Sequence, residues 1–212
     1  QEMLKEVVEK KLLKAKAVFG LFKANTVNED DIEIEADGKN HIFRTLRQQL
    51  KKRDGVPNFA LSDFIAPKNQ GLQDYMGCFC VSAGFGTAEL AAEYEKNHDD
   101  YNAILIKALA DRLAEAFAEY LHKEVRVNYW GYAKEEQLSN EELINEGYKG
   151  IRPAPGYPAC PDHLEKLTLW EVLGVKEKIG VELTESLAMW PAASVSGYWW
   201  QWQFIRENIV IY

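Results

Sequence analysis

The 212-residue chain is 47% hydrophobic and carries 33 acidic against 25 basic side chains, a formal net charge of -8. That excess of negative charge argues against a dedicated binder of nucleic acid or of an anionic membrane surface, which leaves small ligands and protein partners. The length and apolar fraction suffice for one large domain with a real core, spanning residues 1–212. No apolar run approaches the ~20 residues of a membrane span and no leader precedes the first amphipathic stretch, so a cytoplasmic protein is expected. Because the chain begins at Gln1 rather than Met, it is expected to be a piece cut from a longer one. Cys78, Cys80 and Cys160 are odd in number and lack nearby His or further Cys, the pattern of free buried thiols rather than of a zinc site or a disulfide.

In chain order, Leu4, Val7, Val8 and Leu12 fall at helical spacing and predict an amphipathic helix over 2–16. A short apolar strand is expected over 17–22, followed by a hairpin in which 32–36 and 41–45 flank the turn signal Asp37-Gly38. Residues 46–53 read as a polar helix whose end carries Lys51, Lys52 and Arg53. Residues 75–83 form an apolar run expected to be a central strand, with Gly84 and Gly86 marking its end. A short helix over 87–95 precedes a long one that Asp99 or Asp100 caps and that reaches Lys123. Its expected buried stripe is Tyr101, Ile104, Leu105, Ala108, Leu109, Leu113, Ala116, Phe117 and Tyr120. At 100° per residue Arg112 falls inside that stripe and Glu115 at its edge, so both are expected to point partly inward, to pair with each other or to converge on a ligand.

Residues 125–129 read as a strand, and Ser139 with Glu142 forms a capping box that opens a short helix ending before Gly147. Glu146 sits at the end of that helix, where solvent, a neighbouring cation, a ribose hydroxyl or an ammonium can offset its opposition to the helix dipole. Asp162 and Glu165 form a second box, a helix runs to Gly174, a further helical turn covers 176–179, and a strand is expected over 187–190 before the aromatics Tyr198, Trp199 and Trp200. His163 has no sequence partner that suggests a triad and reads as a polar residue at a helix start.

The most distinctive stretch is 150–163, which holds four of the seven prolines. Each fixes φ and removes a donor, so the segment must be an extended, pre-shaped loop. Arg152 at its entrance offers a planar charged fork suited to a carboxylate or phosphate, and Tyr157 beside flexible Gly156 offers a ring and a hydroxyl. The alternative for Arg152 is a structural ion pair on a surface loop.

The run Arg152-Pro153-Ala154-Pro155-Gly156-Tyr157-Pro158-Ala159-Cys160-Pro161, with the helix Asp111-Arg112-Leu113-Ala114-Glu115-Ala116-Phe117-Ala118-Glu119-Tyr120-Leu121-His122, resembles the activation domain of cobalamin-dependent methionine synthase. Similarity extends over 18–25, 98–132, 138–166 and 183–197. The resemblance implies a single α+β domain, an antiparallel-rich twisted sheet flanked by helices, with a shallow groove between the 152–157 loop and the C-terminal aromatics. It implies binding of S-adenosylmethionine, with Arg152 on the carboxylate, Ala154, Gly156 and Tyr157 lining the pocket, and Glu115 and Glu146 at the site. Trp199 and Trp200 replace a Tyr-Phe pair of the family, keeping stacking area and losing a hydroxyl. The implied role is reductive reactivation of cobalamin held by a cobalamin-binding partner domain, with flavodoxin or a similar reductase as electron donor. An isolated domain would have no complete activity alone, and no catalytic base or metal site of its own is expected. A second reading is a docking module that caps the cobalamin domain and recruits the reductase. The family's N-terminal Asp-Trp-x-Pro segment precedes the start of this chain, and the tail from about residue 201 departs from the family pattern.

Overall fold

A computed structural model describes residues 2–201, so the departure expected in the tail lies, beyond Gln201, outside the described residues. The chain forms α1 (Glu2–Lys10), β1 (Lys14–Thr26), β2 (Asp31–Ala36), β3 (Lys39–Arg44), β4 (Asp74–Phe85), α2 (Thr87–Lys96), α3 (Asp100–Glu124), α4 (Asn140–Ile144), α5 (Glu165–Leu173), α6 (Val175–Ile179), β5 (Glu182–Leu183), β6 (Met189–Trp190) and β7 (Ser194–Trp199). Five strands make one sheet in the order β3-β2-β1-β4-β7, with the β1–β2 and β2–β3 ladders antiparallel, and β5 and β6 pair separately. This is the α+β class expected. Among the described residues no helix is long and apolar enough to cross a membrane.

Two compact units share the chain: one comprises 1–18, 80–123 and 174–196, the other 19–79, 124–173 and 197–212. In the first, Asp99 caps α3 by accepting the amide of Asn102 at 3.1 Å. The core there joins Val7 of α1, Ala91 of α2, and Ala103 and Ile106 of α3, and continues as a cluster of small residues, Ala83, Ala110, Ala114 and Ala193.

That alanine cluster corrects the expected stripe. Ala103, Ile106, Ala110, Ala114, Ala118 and Leu121 are buried, whereas Tyr101 and Ile104 are 74% and 69% exposed, and Arg112 and Glu115 face solvent. The reason is close approach. Beside Ala193, a Cβ on Gly84 would lie 2.6 Å from a side-chain carbon of Pro191, so this packing leaves room only for small groups, and α3 turns its alanines to it. The sequence carries apolar residues around most of the helix, so periodicity alone could not choose the face.

In the second unit the strands use large rings instead. Trp199 stacks on Phe79 with centroids 4.6 Å apart and planes at 5°, Phe19 meets Trp199 edge-on, and Phe43 meets Tyr198 edge-on at 5.2 Å. The predicted hairpin is present, with β2 and β3 in register from Asp31↔Arg44 to Ala36↔Lys39 and the turn residues Asp37 and Gly38 at φ 51° and 72°.

Three further expectations fail for identifiable reasons. The first helix stops at Lys10, where Lys11 takes φ 53°, and β1 begins at Lys14. Residues 46–53 are not helical, because Arg47 is drawn to Asp63 in a two-pronged pair at 2.6 and 2.8 Å and to the carbonyl of Asn58, while Gln48 donates its amide to Phe59. Residues 125–129 continue from α3 as one wide π-helical turn rather than a strand. The three cysteines are buried and not joined in a disulfide, and burial pushes the Cys160 thiol up to about 11, with Glu165 and Asp162 adding to the shift.

Two outcomes check this packing. Ala110→Leu is expected to destabilise by about 1–3 kcal/mol through overpacking, whereas Ile104→Ser on the exposed face stays within about 0.5 kcal/mol, both read from urea unfolding. Trp199→Ala is expected to cost about 3–5 kcal/mol by the same measurement, because it empties a site that is 0% exposed.

Candidate functional site

The proline loop is extended only over residues 151–154, and what holds it there is β7. Ile151 and Trp200 exchange backbone hydrogen bonds at 3.1 and 3.3 Å, and Tyr198 donates its amide to the carbonyl of Pro153 at 2.9 Å. Residues 151–153 therefore lie alongside the end of β7, joined to it by the Ile151–Trp200 bridge and the Tyr198–Pro153 bond. Two glycines make this approach feasible. A Cβ on Gly150, at φ 91°, would stand 2.5 Å from the Trp200 carbonyl oxygen, and one on Gly197 would stand 2.6 Å from that of Pro153.

Beyond Pro155 the chain turns tightly. Gly156, at φ 100°, donates its amide to Cys160 at 2.7 Å, Cys160 donates to Tyr157 at 2.8 Å, and the His163 ring covers Gly156 so closely that a Cβ would lie 2.4 Å from it. His163 thus packs on this turn near the start of α5, in keeping with a structural role.

One wall of a groove of about 870 Å³ is the continuous segment 146–153, joined by Tyr132 and Ala159; the other is made by Gln48, Phe59–Leu61 and Phe64, with Gln201 at its end. Arg152 is half-buried in this wall, and Glu146 lies in the same wall and is exposed. Opposite charges thus share one concave surface of a size suited to a small polar ligand.

The short helix α4 sets Glu146. Its capping box is present: Ser139 Oγ accepts the amide of Glu142, and Glu142 Oε2 accepts the Ser139 amide at 2.8 Å, which holds the Glu142 carboxyl below its usual range. At the other end Gly147 donates to the carbonyl of Glu142 at 2.8 Å, and Glu146 is held at φ 55°, in the left-handed conformation a glycine would normally take. A glutamate there has a fixed backbone at the mouth of the groove.

The other expected site residues are placed differently. Ala154 and Gly156 do not line the groove, and Tyr157, 63% exposed, sits on the turn beyond it. Trp199 and Trp200, expected to offer stacking faces, are 0% and 2% exposed, with the Trp199 ring committed to Phe79; their place beside the loop is made by the Trp200 backbone. Three large aromatics in succession at the end of a buried strand fill both of its faces. Glu115 is exposed on α3 and belongs to the first unit, so the inward direction expected for it and for Arg112 is corrected.

Sequence reasoning missed Tyr132, Tyr148, Phe59 and Phe64 as groove residues. It also missed the buried pair beneath them, in which Arg126 donates to both carboxylate oxygens of Glu136 at 2.7 and 2.8 Å and lies 4.2 Å from the centre of the Tyr148 ring. An arginine inside the apolar run Val125-Arg126-Val127 was the available signal. Among the described residues no group of three or more His, Cys, Asp or Glu side chains is arranged to hold a metal ion.

Comparison with known proteins supplies the context. Residues 1–204 match the family described as vitamin B12 dependent methionine synthase, activation domain. Among solved structures, the crystal structure of the MetH reactivation domain bound to AdoHcy is similar at 55% sequence identity and a TM-score of 0.89, over 95% of this chain. This chain spans 62% of the length of that one. With a match that runs over almost its whole length, the chain belongs to the family of vitamin B12 dependent methionine synthase activation domains.

Proposed function

We propose that this chain binds S-adenosylmethionine in the groove beside Arg152 and holds its methyl group for the reductive reactivation of cobalamin carried by a partner domain of methionine synthase. The observation that carries the reading is that Arg152 and Glu146 line the same groove. A ligand with a carboxylate at one end, a cationic centre and ribose hydroxyls meets both charges there. The similar MetH domain was crystallised with AdoHcy, which is what remains of S-adenosylmethionine after its methyl group leaves, and this supports the same ligand class here.

In this reading Arg152 receives the carboxylate with its planar fork, and Glu146 accepts from ribose hydroxyls or the ammonium. Ala154, Gly156 and Tyr157 form the continuation of the wall, with the exposed Tyr157 ring available to cover the ligand. Trp199 and Trp200 support the loop from the end of β7. On its own domain, cobalamin would supply a cobalt centre as the methyl acceptor. The chain's part is to position and to shield, since methyl transfer from a sulfonium removes no proton and needs no general base. The partners implied are the cobalamin-binding domain and an electron donor of the flavodoxin type. The exposed apolar side chains Tyr101, Ile104 and Tyr120 favour a second reading, a module whose main task is to dock on that domain.

Titration calorimetry with S-adenosylmethionine and with S-adenosylhomocysteine tests the first reading. Saturable heat is expected, and Arg152→Ala is expected to weaken binding by about 10- to 100-fold, the loss of about 1.5–3 kcal/mol that a charged hydrogen bond contributes. A chain that binds neither nucleoside yet still associates with the cobalamin-binding domain supports the docking reading instead. Gly150→Ala is expected to destabilise by about 1–3 kcal/mol and to weaken the same binding, because the added methyl forces the loop off β7.

A further inference from the structure

Arg126 is an arginine with a side chain that is 0% exposed, and its partner Glu136 is 5% exposed. The guanidinium donates to Glu136 through Nε at 2.8 Å and Nη2 at 2.7 Å, and its Cζ lies over the Tyr148 ring, 4.2 Å from the centre. The backbone is tied to the same place, since Ala133 donates its amide to the Arg126 carbonyl at 2.9 Å. Tyr132 stands between this pair and the loop: its hydroxyl would be 2.9 Å from a Cβ on Gly150. Burial pushes that hydroxyl's pKa up, with Arg126 opposing, so Tyr132 stays a neutral donor. Tyr132 and Tyr148 both line the groove.

Segment 147–150 has no regular secondary structure of its own. Gly147 is tied back to α4, Gly150 is pressed on Trp200, and Tyr148 between them rests on Arg126. A buried ion pair is a poor way to gain stability, because desolvation offsets most of its attraction. It is a good way to fix a flat surface at one height and angle, since the bidentate fork permits a single orientation of the guanidinium plane.

We propose that Arg126, clamped by Glu136, is the positioning residue for the aromatic wall of the groove, and that Glu136 also keeps the ground under that wall electrically neutral. The inference rests on the groove being the nucleoside site. Neutrality matters because S-adenosylmethionine carries a sulfonium charge that S-adenosylhomocysteine lacks. An uncompensated guanidinium beneath Tyr148 would penalise the cation and leave the thioether almost unaffected.

The test measures dissociation constants for both nucleosides, with unfolding curves for every variant. Tyr148→Leu removes the stacked ring and is expected to weaken S-adenosylhomocysteine at least tenfold, with the conservative Tyr148→Phe restoring affinity to within about threefold of the unaltered chain. The double change Arg126→Met with Glu136→Leu replaces the pair by apolar groups of similar size, so it is expected to fold and yet to bind at least tenfold more weakly. Glu136→Gln is expected to raise the ratio of the S-adenosylmethionine constant to the S-adenosylhomocysteine constant at least fivefold, an effect that general loosening would not produce. If the double variant fails to fold, Tyr148→Leu and the Glu136→Gln ratio decide. Binding by the unaltered chain, with Tyr148→Leu equally tight and the ratio unmoved, overturns this inference alone. Absence of binding by the unaltered chain overturns the functional reading beneath it.

Discussion

The contact on which the groove depends is a backbone one: residues 151–153 hydrogen-bonded along β7. Arg152 hangs from that short pairing. Prolines at 153 and 155 limit how the loop can bend, glycines at 150 and 197 let it come close, and the carbonyl of Pro153 makes the one kind of bond a proline still can. Arg152 is the residue between two such fixed points, so its guanidinium starts from a backbone that cannot wander. A charged side chain on a mobile loop would spend part of its binding energy on being ordered, and here the backbone part of that ordering is already in place.

The two units answer the same problem of burial differently. Around α3 the solution is smallness, with alanines meeting an alanine-lined surface, and the bulky residues are left outside. Around β7 the solution is size, with Trp199, Phe79 and Phe19 filling the space between strands.

These contrasts explain what could be read in the chain beforehand. The hairpin 31–44, the central strand β4, the caps of α3 and α4 and the proline loop follow from local chemistry, and each is present. The buried face of α3 does not follow locally, because alanine contributes little to a hydrophobic pattern yet is what close packing selects. The coil at 46–53 follows from Arg47 finding Asp63, a partner too distant in sequence to foresee. Of the site, Arg152 and Glu146 were legible as charges beside a rigid loop. Tyr132 and Tyr148 were not, since nothing in their immediate sequence says which way a ring in an irregular segment will face. Trp199 and Trp200 were legible as aromatics, but whether a ring at the end of a strand serves a ligand or the core depends on neighbours such as Phe79 that lie far away in the chain.

The loop's attachment also bears on how the protein keeps to itself. A sheet margin with unpaired amides invites a strand from another molecule, and in this unit β7 meets not a bare margin but a companion in which Pro153 and Pro155 have no amide hydrogen to lend. The prolines that shape the groove therefore also blunt that edge against pairing with another strand.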